Sequence, residues 1–379
     1  MKTSKKLTML AGVAMIAIMM FSSIGSTSAA PGTPTPFREV NSLADNGWKY
    51  PLVSDSVVSA LYQEWWYFQV VDPNTDLFFT CWYEIDNPAG ETMDGMEIPR
   101  ASYVGSEGFY GDYRFVWPML SIDLGEYTAA TDTWNVNIAG NTIVATDLNT
   151  VEIIGYDIIT EVSWDLTFTR NVVAGTYTDA VPTGFSPTDI LGWCSVLPVA
   201  DVTGTITING EVIAVDLAGA GYSDHNWGSP EILSYAPWLG SFSEDMIILA
   251  EGVPSMTAPK RNSNGFINVW FEGAWIWFKV PTIVYTWAVD PVTGGEYISN
   301  FHFVAKSIDN KWIININAEL VGEYSFDLFD FGPYFVSFFK SFEFQVTGTL
   351  RHLTFPDIFC PTQIDQSCHI EENFFIPKA

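Results

Sequence analysis

The chain has 379 residues, 48% of them hydrophobic and 15% aromatic, which supplies core for about two domains of ordinary size. With 44 Asp and Glu against 16 Lys and Arg, the formal net charge of −28 excludes nucleic acid and anionic membrane surfaces as electrostatic partners. The cysteines and histidines show no metal-ligand spacing, so no metal is expected, and no cofactor is assigned.

Residues 1–29 read as a signal peptide. Lys2, Lys5 and Lys6 form a positive start, residues 7–21 an apolar run, and Ser26-Thr27-Ser28-Ala29-Ala30 a cleavage stretch. Cleavage after Ala29 is favoured, because cutting after Ala30 sets Pro31 at the scissile bond. No later run of ~18 apolar residues follows, so no transmembrane span is expected after cleavage. The mature protein is expected to be exported, either secreted or held at the cell surface or in a periplasm. Residues 30–48, opening on Pro31-Gly32-Thr33-Pro34-Thr35-Pro36, read as a Pro-rich lead-in.

Beyond it nearly every segment reads as strand. Residues 77–83, 162–168, 202–215, 265–280 and 311–320 are rich in β-branched and aromatic side chains. Turn signals such as Asp72-Pro73-Asn74 separate them, and Asn209-Gly210 between two apolar runs is a two-residue hairpin signature. No long helical period appears past the leader. The expectation is an all-β protein of two β-barrel or sandwich domains packed side by side, residues 49–235 and 236–379, with a ligand cleft at their interface. Val202-Thr203-Gly204-Thr205-Ile206 echoes in Val346-Thr347-Gly348-Thr349-Leu350, which suggests two similar halves.

In chain order, the first chemistry-bearing run is Glu64-Trp65-Trp66-Tyr67-Phe68. On a strand, Glu64, Trp66 and Phe68 share one face and Trp65 and Tyr67 the other, both aromatic. A buried Glu64 needs a partner. It either pairs with Arg100, Arg114 or Arg170, or lines a cavity walled by Trp66, Phe68 and Trp82. Cys81 and Cys194 sit in apolar strand-like runs and either pair or fill core. Cys360 and Cys368 close a short C-terminal loop, and a disulfide there fits export. Asp245 and Glu251 read as solvent-facing charges, His302 as a satisfied core histidine, and no Gly-x-Ser-x-Gly nucleophile motif is present.

The most telling stretch is Gly221-Tyr222-Ser223-Asp224-His225-Asn226-Trp227-Gly228. Extended, it directs Tyr222, Asp224 and Asn226 one way and Ser223, His225 and Trp227 the other. A carboxyl between a phenol and a carboxamide is where a proton donor with a raised pKa would sit. The alternative is a polar cluster in which Asp224 pins a turn and His225 is satisfied by backbone.

The 64–68 run, the stretch 193–215 with its Val-Thr-Gly-Thr hairpin, and the 221–228 segment occur in this order and at this spacing. Together they resemble the AttH-like, carotenoid 1,2-hydratase (hydroxyneurosporene synthase, CrtC-like) superfamily, which includes fungal decalin-forming Diels–Alderases and kievitone hydratase. The resemblance covers most of the mature chain, strongest over 64–228 and weak beyond 238. It implies a pair of lipocalin-like β-domains with a hydrophobic pocket, and it implies Asp224 as the acid with Tyr222 beside it. Many relatives carry histidine where this chain has Ser223, so any role of that histidine is absent here.

Hydrating an unactivated alkene begins with protonation of carbon to a tertiary cation. An acid still protonated near neutral pH must be desolvated, as Asp224 would be among Tyr222, Trp227 and Trp193. Aromatic faces stabilise such a cation by roughly 0.5–2 kcal/mol each, and Tyr222 or Asn226 would orient the water. Glu64, Trp66, Phe68, Trp82, Trp193, His225 and Trp227 are expected to line the substrate pocket. A pericyclic cyclisation needs instead a pocket that folds a polyene into its reactive conformer. The expected function is therefore an exported lipocalin-like enzyme acting on a hydrophobic polyene or isoprenoid-like substrate, by acid-catalysed hydration or isomerisation or by cyclisation. The alternative is a non-catalytic exported carrier of an apolar small molecule.

Overall fold

The computed structural model describes residues 37–377 except 55–58, 73, 94–95, 117–121, 172, 183–189, 230–237, 244, 256–257, 279–281, 323, 332–333 and 355–360. The expected signal peptide, the proline run, the expected domain boundary and Cys360 lie outside the described residues. Among the described residues, regular structure is strand apart from short helical turns at Leu43–Asn46, Tyr50–Val53 and Ser59–Leu61. The chain divides after Pro230 into two compact units.

The first unit begins with β1 (Phe37–Glu39), β2 (Gln63–Asp72), β3 (Leu77–Asp86), β4 (Thr92–Met93), β5 (Met96–Glu97), β6 (Ala101–Tyr110), β7 (Tyr113–Phe115) and β8 (Tyr127–Ala129). It continues with β9 (Asn135–Ile138), β10 (Asn141–Ala145), β11 (Thr150–Asp157), β12 (Val162–Arg170), β13 (Thr176–Pro182), β14 (Ile190–Ile208) and β15 (Glu211–Gly228). Its main sheet is antiparallel with the order β7-β6-β3-β2-β15-β14-β12-β11-β10-β9-β8.

The second unit holds β16 (Trp238–Phe242), β17 (Met246–Ser255), β18 (Ala258–Phe271), β19 (Ala274–Trp277) and β20 (Thr282–Val289). After these come β21 (Glu296–Lys306), β22 (Trp312–Leu320), β23 (Ser325–Phe331), β24 (Tyr334–His352) and β25 (Thr362–Pro377). The order is β17-β16-β25-β24-β22-β21-β20-β18-β19, and a further β17–β18 pairing closes it into a ring.

The two orders share one plan. The path β3-β2-β15-β14-β12-β11-β10 in the first unit matches β17-β16-β25-β24-β22-β21-β20 in the second. The sequence echo marks equivalent places in this plan. Gly204 of β14 lies opposite Leu166 of β12, and Gly348 of β24 lies opposite Ile316 of β22. Each has positive φ, +131° and +151°, and a Cβ on either would come within 2.1 Å of a carbonyl oxygen, of Asp165 or of Asn315. Only glycine fits both demands.

Period-two burial explains why these segments are strands. In β11, Val151, Ile153 and Asp157 point inward while Glu152, Ile154 and Tyr156 are exposed. Burying each Ile or Val contributes roughly 1.5–3 kcal/mol, so a one-residue slip is strongly disfavoured. Asn209 and Gly210 both have positive φ, as the tight β14–β15 hairpin requires. The first core gathers Trp66, Phe68, Tyr83, Trp134, Trp164 and Phe168, and it takes in Val40 and Trp48 from the lead-in. The second gathers Ile248, Phe278, Phe301, Ile314, Phe344 and Ile370.

Candidate functional site

Strands β2 and β15 pair antiparallel, setting Gln69 opposite Tyr222, Tyr67 opposite Asp224, Trp65 opposite Asn226, Trp66 opposite His225 and Glu64 opposite Trp227. Directly paired residues share a face. The two motifs are therefore one composite patch with two sides, and the alternation expected within each holds.

On the first side Asp224 is 6% exposed and accepts hydrogen bonds from Tyr222, Trp193 and Asn226. The Tyr222 hydroxyl donates to its Oδ2 at 2.7 Å, and the Trp193 indole N–H reaches the same oxygen at 3.3 Å. The Asn226 amide donates to Oδ1 at 2.8 Å. Each such bond to an ionised carboxylate contributes about 1.5–3 kcal/mol, which offsets the cost of burying it. Turning the Asn226 amide over would let Oδ1 carry a proton while Tyr222 and Trp193 still hold Oδ2.

The same side continues across the sheet. Trp82 lies opposite Tyr67 and Glu84 opposite Trp65 on β3, then Gly105 and Tyr103 lie opposite those on β6. The Trp82 ring rests on Gly105, where an added Cβ would sit 2.3 Å from it. Burial pushes the Glu84 carboxyl up to about 7, against hydrogen bonds from Tyr103 and Asp86. Asp86 is held well above the usual carboxylate range by burial and by the Glu84 charge. Trp82, Tyr103, Trp193 and Tyr222 are buried yet belong to neither hydrophobic core.

On the opposite, core side, Glu64 is fully buried and its carboxyl is the hub. It accepts hydrogen bonds from the Tyr62 hydroxyl, the Lys49 backbone N–H at 2.8 Å and the Tyr50 N–H at 3.2 Å, and it meets His225 Nε2 at 2.8 Å. The His225 ring stacks on Trp66 with centroids 4.8 Å apart. Its Nδ1 has no hydrogen-bond partner among the described residues, so the ring proton belongs on Nε2, because a bare lone pair costs less than an orphaned N–H.

The distance is that of an ion pair, but the environment opposes both charges. Burial pushes the Glu64 carboxyl up to about 8 in spite of those donors, and burial with the nearby Lys49 charge holds His225 well below its ordinary range. The pair is a buried hydrogen bond with an uncharged imidazole. Lys49, itself buried, donates from Nζ to the Ala44 carbonyl at 2.6 Å and lies 5.3 Å from the Trp227 ring centroid.

The residues assigned to one pocket from sequence fall on two sides of one sheet. Glu64, Trp66, Phe68, His225 and Trp227 lie on the core side, and Trp82 and Trp193 on the Asp224 side. Period two forbids the single cavity of Trp66, Phe68 and Trp82, and it sets Trp227 away from Asp224. Asp224 lies within a strand rather than at a turn. Glu64 bonds His225 and Tyr62, not Arg100, Arg114 or Arg170, and His225 is satisfied by Glu64 rather than by backbone.

Cys81 and Cys194 are separate buried thiols. The Cys194 thiol meets the Asp45 carbonyl at 3.3 Å. Cys368 is buried in the second core, while its expected partner Cys360 lies outside the described residues. His302 sits on a partly exposed face, bonded to Asn315 at 2.7 Å, instead of in the core.

Sequence reasoning missed Lys49, Tyr62, Glu84, Asp86 and Tyr103. Glu84 and Asp86, two apart in a strand and therefore on one face, carried a usable signal; Lys49, in irregular chain just after the lead-in, carried none. Among the described residues, no group of three or more His, Cys, Asp or Glu is arranged to hold a metal ion, and no helix is long and apolar enough to cross a membrane.

Neither a family model nor a curated protein matches the chain. Solved structures do. The chain is similar to a protein designated AttH from Nitrosomonas europaea, with TM-score 0.54 and 11% identity over 91% of this chain and 99% of that one. It is also similar to CghA, with TM-score 0.55 and 10% identity over 93% and 98% of the two chains. CghA with Sch210972 aligns at TM-score 0.52 and 11% identity over 84% and 89%. The all-β fold expected from the AttH-like resemblance is thus the fold observed, the one that the AttH and CghA structures share with this chain.

Proposed function

We propose that the chain is an exported enzyme that binds a hydrophobic polyene or isoprenoid-like molecule on the Asp224 side of the sheet and hydrates, isomerises or cyclises it there. One observation carries this reading. A buried carboxyl, held by Tyr222, Asn226 and Trp193, sits on an aromatic sheet face outside both hydrophobic cores. A buried carboxyl with aligned donors on a face that neither core covers is the usual setting of an acid with a chemical role. The export half of the proposal rests on the leader-like residues 1–29. A protein of similar fold, CghA, has been solved with the small molecule Sch210972.

In hydration, a protonated Asp224 delivers its proton to one alkene carbon. Water attacks the cation at the other carbon, and the proton that water sheds returns to Asp224. One C–H and one C–O bond form, the C=C π bond is lost, and the carboxyl ends as it began. Isomerisation uses the same carboxyl to give one proton and take another. In cyclisation Asp224 with Tyr222 polarises the bound polyene, and the aromatic face holds it folded.

The test is incubation of wild-type protein and Asp224→Asn with a polyene extract of the host, followed by mass analysis. The proposal expects a wild-type product heavier by one water, or an isomer of unchanged mass, with Asp224→Asn binding the same species unconverted. Equal conversion by both proteins removes Asp224 from the chemistry. Ligand recovered intact from both leaves the carrier.

A further inference from the structure

The Asp224 side of the sheet also bears polar atoms that no neighbour among the described residues satisfies. Gln69 of β2 is 3% exposed, and its Oε1 has no hydrogen-bond partner among the described residues. Its two cross-strand neighbours have hydroxyls and both are committed elsewhere. Tyr222 of β15 donates to Asp224 at 2.7 Å, and Thr80 of β3 donates to the Glu107 carbonyl at 3.2 Å.

Two more such atoms share the face. Among the described residues, Asp86, 7% exposed, has no partner for Oδ1, and neither has Oγ1 of Thr178, which is fully buried and lies opposite Trp193. An orphaned buried polar atom costs about 1–3 kcal/mol, and native proteins keep few of them without a reason. A bare hydrocarbon lying on this face would seal all three orphans in. An amide oxygen and a carboxyl oxygen accept hydrogen bonds, so what the face lacks is a donor.

We propose that the ligand of the Asp224 face is a hydroxyl-bearing polyene or isoprenoid alcohol, not a bare hydrocarbon, and that its O–H donates to Gln69 Oε1. This rests on the small-molecule reading above and narrows it. Gln69 lies two residues along β2 from Tyr67, which is opposite Asp224, roughly 7 Å at the strand rise. An alcohol anchored at Gln69 therefore sets a double bond a few carbons from its oxygen beside Asp224. Asp86 is paired with Gln63, six residues from Gln69 and roughly 20 Å along the sheet. It offers a second acceptor at the far end of a long ligand.

The test needs two probes of the same carbon skeleton. All-trans-retinol donates a hydrogen bond, whereas all-trans-retinyl methyl ether only accepts. Affinities are read by quenching of tryptophan fluorescence in wild type and in Gln69→Leu. Wild type is expected to bind retinol about tenfold more tightly than the ether, the equivalent of one net hydrogen bond. Gln69→Leu is expected to weaken retinol to the level of the ether and leave the ether unchanged.

Equal affinities in the wild type overturn the inference without any variant being made, while leaving polyene binding itself intact. A preference for retinol that survives in folded Gln69→Leu overturns the assignment to Gln69. Failure of wild type to bind either retinoid contradicts the underlying small-molecule reading along with this one.

Discussion

His225 Nε2 and Glu64 Oε1 meet at 2.8 Å with both side chains fully buried, 161 residues apart in sequence. This contact joins the two conspicuous motifs of the chain through the core side of the sheet, while Asp224 lies on the other. The roles divide by face. Glu64 and His225 fix how β2 meets β15, and Asp224 is thereby held against Tyr67 of the neighbouring strand.

Truncating His225 should therefore be costly. His225→Ala removes the partner of a buried carboxyl and the stacking on Trp66, so a loss of about 2–4 kcal/mol is expected. Urea unfolding midpoints measure it. A change below ~0.5 kcal/mol would show that the pair does not hold the strands.

The Glu64 carboxyl also sets a pH dependence. Its folded pKa of about 8 lies above the ordinary 4.5, so the folded state binds a proton that the unfolded state has lost. Stability from this group is full below about pH 4.5 and fades as pH rises through about 8. His225, held low, works the other way and makes acidification below its ordinary range costly. Wild-type Tm is expected to fall between pH 6 and 9, and Glu64→Gln should flatten that fall. A slope unchanged in Glu64→Gln would assign it elsewhere.

Asp224→Asn keeps the size and removes the proton. With Tyr222 and Trp193 still in place, it is expected to lower turnover by roughly 10²–10⁴-fold while ligand affinity changes little. Parallel losses in affinity and turnover would make Asp224 a binding group only.

Gly105 offers a steric probe of the proposed ligand face. A methyl there meets the Trp82 ring at 2.3 Å, so Gly105→Ala must displace the indole at a cost of about 1–3 kcal/mol. Loss of both stability and polyene affinity is expected, read by thermal melts and fluorescence quenching. Unchanged affinity would remove Trp82 from the site.

Much of this was legible in the residues, because strand alternation is a local rule. It placed Tyr222, Asp224 and Asn226 together and Glu64 with Trp66 and Phe68, and it marked the Asn209-Gly210 hairpin. Strand pairing is not local. Nothing near Glu64 in sequence names His225 as its partner, so the arginines looked as suitable. Register also decided that Trp82 follows Tyr67 onto the Asp224 side instead of joining Trp66. The Lys49 backbone N–H and the Tyr62 hydroxyl reach Glu64 from irregular chain preceding β2, where neither period nor motif points to such contacts.

The most direct test is native mass spectrometry of the wild-type protein purified gently from its own host, with any bound molecule released and identified. An apolar small molecule bound one per chain, and lost when Asp224 and Trp193 are replaced together, is the predicted result. A protein that flies at its bare mass, and stays bare after incubation with added polyenes, would contradict the account.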